Sequence, residues 1–285
     1  MGTIFKIGKN LFHLIAFLFI GSCSQDQIAL GENVTLDCVY QNSSGNIPID
    51  LYEMTSIIQT DEYPPFTKKL SVCGITLISR DDVSDVFMMR VGQTIGEMFS
   101  IHEETDTLKQ QRLLKNLYTY HTVIPLFYGK DWSFHPSEES DWEELNNRFS
   151  ICDIIMEGVP NPVMEVVEYI LHHITDIDNW GLTNASRLFN LTKEAIELGY
   201  YNVNQYEEIN EAGIRNRVIL QEYAYWIIYT SWDLRNSHGP DHSEWSIFTS
   251  SELEDKLNSS YHLVQETVPS ILSCPSEQTL SLFYP

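Results

Sequence analysis

The sequence predicts a helix-rich body built on a small sheet, of the α+β or mixed α/β class. Three observations carry this. Apolar, strand-like runs (LSVCGITLIS, VIPLF, ICDIIM) alternate with stretches of helical periodicity in the first half of the chain. The second half is almost entirely helical in pattern. The 285 residues include 43% hydrophobic side chains, with 15 Tyr, 13 Phe and 6 Trp, enough apolar surface for a substantial core.

Taken in order, Lys6 and Lys9 precede the apolar run LFHLIAFLFIG, which the small residues Gly21 and Ser22 and then Cys23 follow. This is the order of a secretory signal over residues 1–23, and the run is too short to span a bilayer once mature. IGSC also has the form of a bacterial lipoprotein box, in which lipidation of Cys23 would attach the chain to a membrane. The expected location is therefore secreted or cell-surface.

Residues 24–69 read as a polar arm or linker, with turns at QNSSGN and EYPPF and an exposed strand at ENVTLDCVY. The main domain is expected over residues 70–275, followed by a tail over 276–285. Within it LSVCGITLIS reads as one strand and Asp81 or Asp82 starts a helix to about Phe99. A helix follows from about Leu108 to Tyr120, then the strand VIPLF, the short helix WEELNNRF and the strand ICDIIM. Pro160 and Pro162 open the next helix. Further helices are expected over about 185–198, 214–234 and 253–272.

With 17 Lys plus Arg against 40 Asp plus Glu, the formal net charge is −23, which repels phosphate backbones and excludes nucleic acid as a natural partner. Beyond the leader lie Cys38, Cys73, Cys152 and Cys274, which allow three pairings but form no CxxC. Cys73 and Cys152, in apolar runs, read equally well as buried thiols. Sequons stand at Asn33, Asn42, Asn184, Asn190 and Asn258, of consequence in a eukaryotic secretory pathway. The chain contains no GxGxxG, Walker, GxSxG or EF-hand motif.

The chemistry-bearing segment is EVVEYILHHITD. At about 100° per residue, Val163, Val167, Ile170, Ile174 and Ile177 form an apolar stripe, and Glu165, Glu168, His172 and Asp176 lie opposite it. On a surface helix such a face is hydrated, which is the plain expectation. A second segment, RVILQEYAYWIIYTSWD, is apolar or aromatic on nearly all sides and predicts a central, buried helix with Glu222 in its middle. A carboxylate there needs a proton, a cation, a hydrogen bond or a metal. His172, or a metal shared with it, is the candidate partner. Zinc takes imidazole nitrogen and carboxylate oxygen, and ligands one turn apart fit its shell. The expected metal ligands are His172, Glu222 and Asp176, the last also suited, with Glu165, to orienting the imidazole. Glu168 is expected to take the proton from bound water, and Tyr225 to present its hydroxyl to the cleft. His173 reads as a core-rim histidine, and HGPDHSEW as a surface loop.

GITLIS, DDVSDVFMMRVGQTIGEMF, VEYILHHITD and QEYAYWIIYTSWD together resemble uncharacterised secreted, metallopeptidase-like (zincin-like) proteins over roughly residues 70–275. In that set the middle helix follows E-E/H-x-x-H-x-I-T, matched here by Glu168, His172, Ile174 and Thr175, and the later one E-Y-x-Y-W, matched by Glu222, Tyr223, Tyr225 and Trp226. Tyr169 departs from the pattern, where relatives carry Glu or His. The resemblance implies a shared fold, bound zinc and hydrolysis of a protein or peptide substrate. The alternative is a non-catalytic extracellular or cell-surface protein, including an inactive relative that keeps a Glu222–His172 pair for structure.

Overall fold

The computed structural model describes residues 30–39, 46–178, 180–240 and 244–284. The proposed leader with Cys23, and Asn42, Asp241 and His242, lie outside them. The fold is a helix-rich mixed α/β body on a five-stranded sheet, as the sequence predicts.

Strands β1 (Ile58–Gln59), β2 (Lys68–Val72), β3 (Ile75–Ser79), β4 (Val123–Tyr128) and β5 (Ile155–Glu157) lie side by side in chain order. The first three are antiparallel, and β3, β4 and β5 are parallel. The run expected as one strand is therefore a hairpin. Cys73 and Gly74 turn the chain with φ of 51° and 76°, the positive pair that a two-residue hairpin turn requires. Cysteine seldom fills that position, so the sequence hid the turn.

Alternation along β3 and β4 splits the core. Ile75, Leu77, Ile124 and Leu126 face the main core, while Ile78, Val123 and Phe127 face a smaller one. Helices α1 (Asp85–Met98), α2 (Thr107–Thr119) and α4 (Pro162–Asp178) flank the sheet on the main-core side. The other face is closed by Leu145 of α3 (Glu139–Arg148) and an aromatic group that includes Trp132, stacked 4.0 Å from Phe127. Side-chain caps start α1 and α2, where Ser84 accepts from the Phe87 amide and Asp106 from that of Lys109.

The helical half comprises α5 (Arg187–Glu197), α6 (Ala212–Ser231), α7 (Leu234–His238), α8 (Ser250–Lys256), α9 (Asn258–Thr267) and α10 (Glu277–Ser281). Helix α6 is its axis, touching α4, α5, α7, α8 and α9, and is buried along nearly its whole length. The helix expected over 253–272 is two. Leu257 leaves helical geometry and buries its side chain, and Asn258 Nδ2 donates to the Glu254 carbonyl, so a local side-chain bond replaces the helical ladder. Among the described residues no helix is long and apolar enough to cross a membrane.

The N-terminal segment packs on α6. Thr35 N donates to Gly213 O, Asp37 pairs with Arg217, and Cys38 is disulfide-bonded to Cys152. Cys152 is thus not a free thiol; Cys73 and Cys274 are. After residue 275, Leu280 is fully buried and Phe283 meets Phe87 edge-on.

Candidate metal centre

Among the described residues, helix α4 presents no exposed side chain. Glu165, Glu168, His172 and Asp176 are buried as completely as the apolar stripe opposite them. The expectation of a wet face fails because α6 and the disulfide-anchored N-terminal segment cover the polar side. Burial makes each polar group answerable to a partner.

Two of the four have partners in the fold, although Asp176 keeps Oδ1 without a hydrogen bond among the described residues. Glu165 accepts the Met156 amide at 2.8 Å, and burial pushes its carboxyl up to about 8. Asp176 Oδ2 accepts from Gln221 Nε2 at 3.0 Å and Arg217 Nη1 at 3.3 Å. Burial raises Asp176 to about 6, against the opposing pull of Arg217. Asp176 therefore stands with a guanidinium rather than with His172. Cys38, Cys152 and Asp176 also bring three potential ligand atoms within 4.8 Å, but the disulfide occupies both sulfurs, and only a thiolate binds metal.

The other two meet α6. One ligand atom each from Glu168, His172 and Glu222 lies within 4.8 Å of the others, a group that can hold a metal ion. His172 Nε2 is 3.6 Å from Glu222 Oε2, beyond hydrogen-bond reach, and has no hydrogen-bond partner among the described residues. His172 Nδ1 lies 2.9 Å from Asp153 Oδ2 and donates to it. Asp153 was not singled out by the sequence reading, and orients the imidazole in place of Glu165 or Asp176.

Electrostatics mark the same spot. Burial by itself lowers the His172 pKa, yet the Glu222 and Asp153 carboxylates outweigh it and raise it well above the ordinary value. Glu168 is driven well up, first by burial and then by the charge of Glu222, with His172 opposing. The Tyr225 ring stands edge-on to His172 at 6.0 Å, and its buried hydroxyl has no hydrogen-bond partner among the described residues. Access lies at Glu222 and Asp153, whose side chains are 17% and 24% exposed.

Beyond Glu222 sits a further buried carboxylate, Glu244. It accepts from the Tyr206 hydroxyl and from Gln205 Nε2 at 2.7 Å, and burial followed by the Glu222 charge raises it to about 8. Its place in HGPDHSEW had suggested a surface loop. The other aromatics of α6 are packing: Tyr223 bonds Ser260 at 2.7 Å, and Trp226 stacks on Trp245. Exposed asparagines carry the described sequons, Asn33, Asn184, Asn190 and Asn258. No family model, curated protein or solved structure matches the chain.

Proposed function

We propose that this protein is a secreted, metal-dependent hydrolase of the peptidase-like, zincin-like kind, acting on a protein or peptide substrate. The observation that carries the reading is the His172 ring. A buried imidazole nitrogen faces two carboxylates with no hydrogen bond of its own, which is the arrangement a cation completes.

The donor set is one nitrogen and two carboxylate groups, suited to zinc with a position left for water or substrate. Zinc would act there as a Lewis acid and lower the pKa of its water. Asp153 holds His172 Nδ1 protonated and so keeps Nε2 turned to the site. Glu168 takes the place expected of Asp176 among the donors. Glu168 would hold the ion and could also accept a proton from the attacking water. Tyr225 Oη is free to donate to an oxyanion. Export rests on the N-terminal pattern and is supported by the Cys38–Cys152 disulfide.

A second reading has its own observation. The Glu222–His172 contact, at 3.6 Å, lies within ion-pair distance, as a non-catalytic relative retaining the pair would have it. Elemental analysis of the native protein, with no metal added, separates them. About one zinc per chain is expected, removed by chelator together with hydrolysis of internally quenched peptides. A metal-free protein with chelator-independent stability would establish the structural pair instead.

A further inference from the structure

We infer that His173, the neighbour of the proposed ligand, is the positioning residue of the site: it fixes the Cys152–Asp153 backbone from which Asp153 orients His172. Only the affinity part of this inference rests on the metal reading.

Asp153 sits in an irregular segment, between the bridge at Ser150 and strand β5. An orienting carboxylate on irregular backbone holds a direction only if that backbone is tied down. His173 ties it. Its ring is fully buried, and Nδ1 lies 2.7 Å from the Tyr169 carbonyl oxygen, which can only accept, so Nδ1 carries the proton. Nε2 is thereby left with its lone pair, and it accepts from two consecutive amides, Cys152 N at 3.2 Å and Asp153 N at 3.3 Å. The Cys38–Cys152 disulfide also ties this segment, at Cys152.

Adjacent helix positions diverge by about 100°. His172 therefore faces α6 and Glu222 while His173 faces the segment before β5. Because both rings spring from one turn of α4, the proposed ligand and its orienting carboxylate are indexed to the same helix. A shift of that segment against α4 would otherwise swing Asp153 Oδ2 away from His172 Nδ1. Replacing His173 by a residue without an acceptor would also leave one buried and one part-buried amide without this partner.

The test uses two substitutions in the full-length protein. Glutamine can place Oε1 near the position of Nε2 and accept from the two amides; phenylalanine fills the space with no acceptor. In the unmodified protein, proton–nitrogen NMR should show a downfield, slowly exchanging His172 Nδ1–H, with or without metal. The signal should persist in His173→Gln and be lost or shifted in His173→Phe. Zinc affinity, measured by calorimetry, should fall about 10-fold or more in His173→Phe and less than about 3-fold in His173→Gln. Asp153→Asn should weaken zinc as His173→Phe does, and the double variant should lose little more than either.

An unchanged His172 signal and affinity in His173→Phe would overturn the inference. So would equal damage from both substitutions, or multiplying losses with Asp153→Asn. If His173→Phe does not fold, the His172 signal in His173→Gln decides, its loss counting against. If the unmodified protein binds no zinc, the metal reading falls and the NMR signals alone decide the role of His173.

Discussion

One turn of α4 separates two buried acidic groups that meet the same difficulty in opposite ways. Asp176 is paired within the chain: Arg217 and Gln221 of α6 reach its Oδ2 directly, and Asp37 shares the guanidinium. The Glu168–His172–Glu222 group has more carboxylates than cations, an imidazole nitrogen without a hydrogen bond and an unpartnered tyrosine hydroxyl beside it. Burial costs both groups dearly, but only the first is compensated by a permanently charged side chain. A carboxylate buried with arginine has its counter-charge in the chain; the carboxylates around His172 are the donors that the proposed cation would use.

The sharpest way to break this contrast is Arg217→Met. Removing the guanidinium leaves Asp176 and Asp37 uncompensated, and unfolding should be easier by about 3–5 kcal/mol whether or not metal is present. Chemical denaturation with and without chelator measures it; a small or chelator-dependent loss would erase the distinction. His172→Gln and Glu222→Gln should behave the other way. Each should abolish the stabilisation that zinc confers, about 3 kcal/mol at a hundredfold excess over Kd, and the double variant should lose no more than either alone. Additive losses without chelator dependence would remove both the metal site and the pair.

The pH dependence sharpens it further. In the metal-free protein Glu165 and Glu244 hold protons up to about 8, and Glu168 and His172 are likewise raised. Groups that bind protons more tightly folded than unfolded lose their stabilising contribution as pH rises. His173, lowered to about 4, works oppositely, but its contribution is complete above 6.5; that of Asp176, raised to about 6, is already lost. Between pH 6.5 and 8 the chelated protein should therefore lose Tm, while the increment from zinc grows as ligands deprotonate. A Tm that rises across this window without metal would contradict the assignment. The smallest effect belongs to Glu165→Gln. A side chain already protonated near neutral pH and accepting one amide is mimicked by glutamine, so the change should stay within about 0.5 kcal/mol at pH 7 by thermal unfolding.

Much of this was legible from sequence, and what was not has local reasons. Glu222 announced itself as a carboxylate in an unbroken apolar run, and Glu168 with His172 by their spacing of one turn. Asp153 carries the same signal within ICDIIM, but that run reads as an apolar strand, where a single polar residue passes for an exposed position. The burial of the α4 polar face was invisible, since periodicity reports that a helix has two faces and not what covers the second. Tertiary contacts supplied that cover, just as they turned a loop glutamate, Glu244, into a neighbour of Glu222. The break at Leu257 and the turn at Cys73 rest on single residues whose propensities point elsewhere.

The order of the strands has a kinetic consequence. Each strand pairs with its neighbour in sequence, so the sheet, with α4 following it, can assemble progressively from the N-terminal half. Glu222 arrives only when α6 docks on α4, about 50 residues further along the chain. If the sheet half carries the folding nucleus, the donor set would be completed after the rate-limiting barrier. An ion recognising only the docked arrangement would leave the refolding limb of a stopped-flow chevron unmoved and lower the unfolding limb, acting as a brake on departure from the native state and not as a guide toward it.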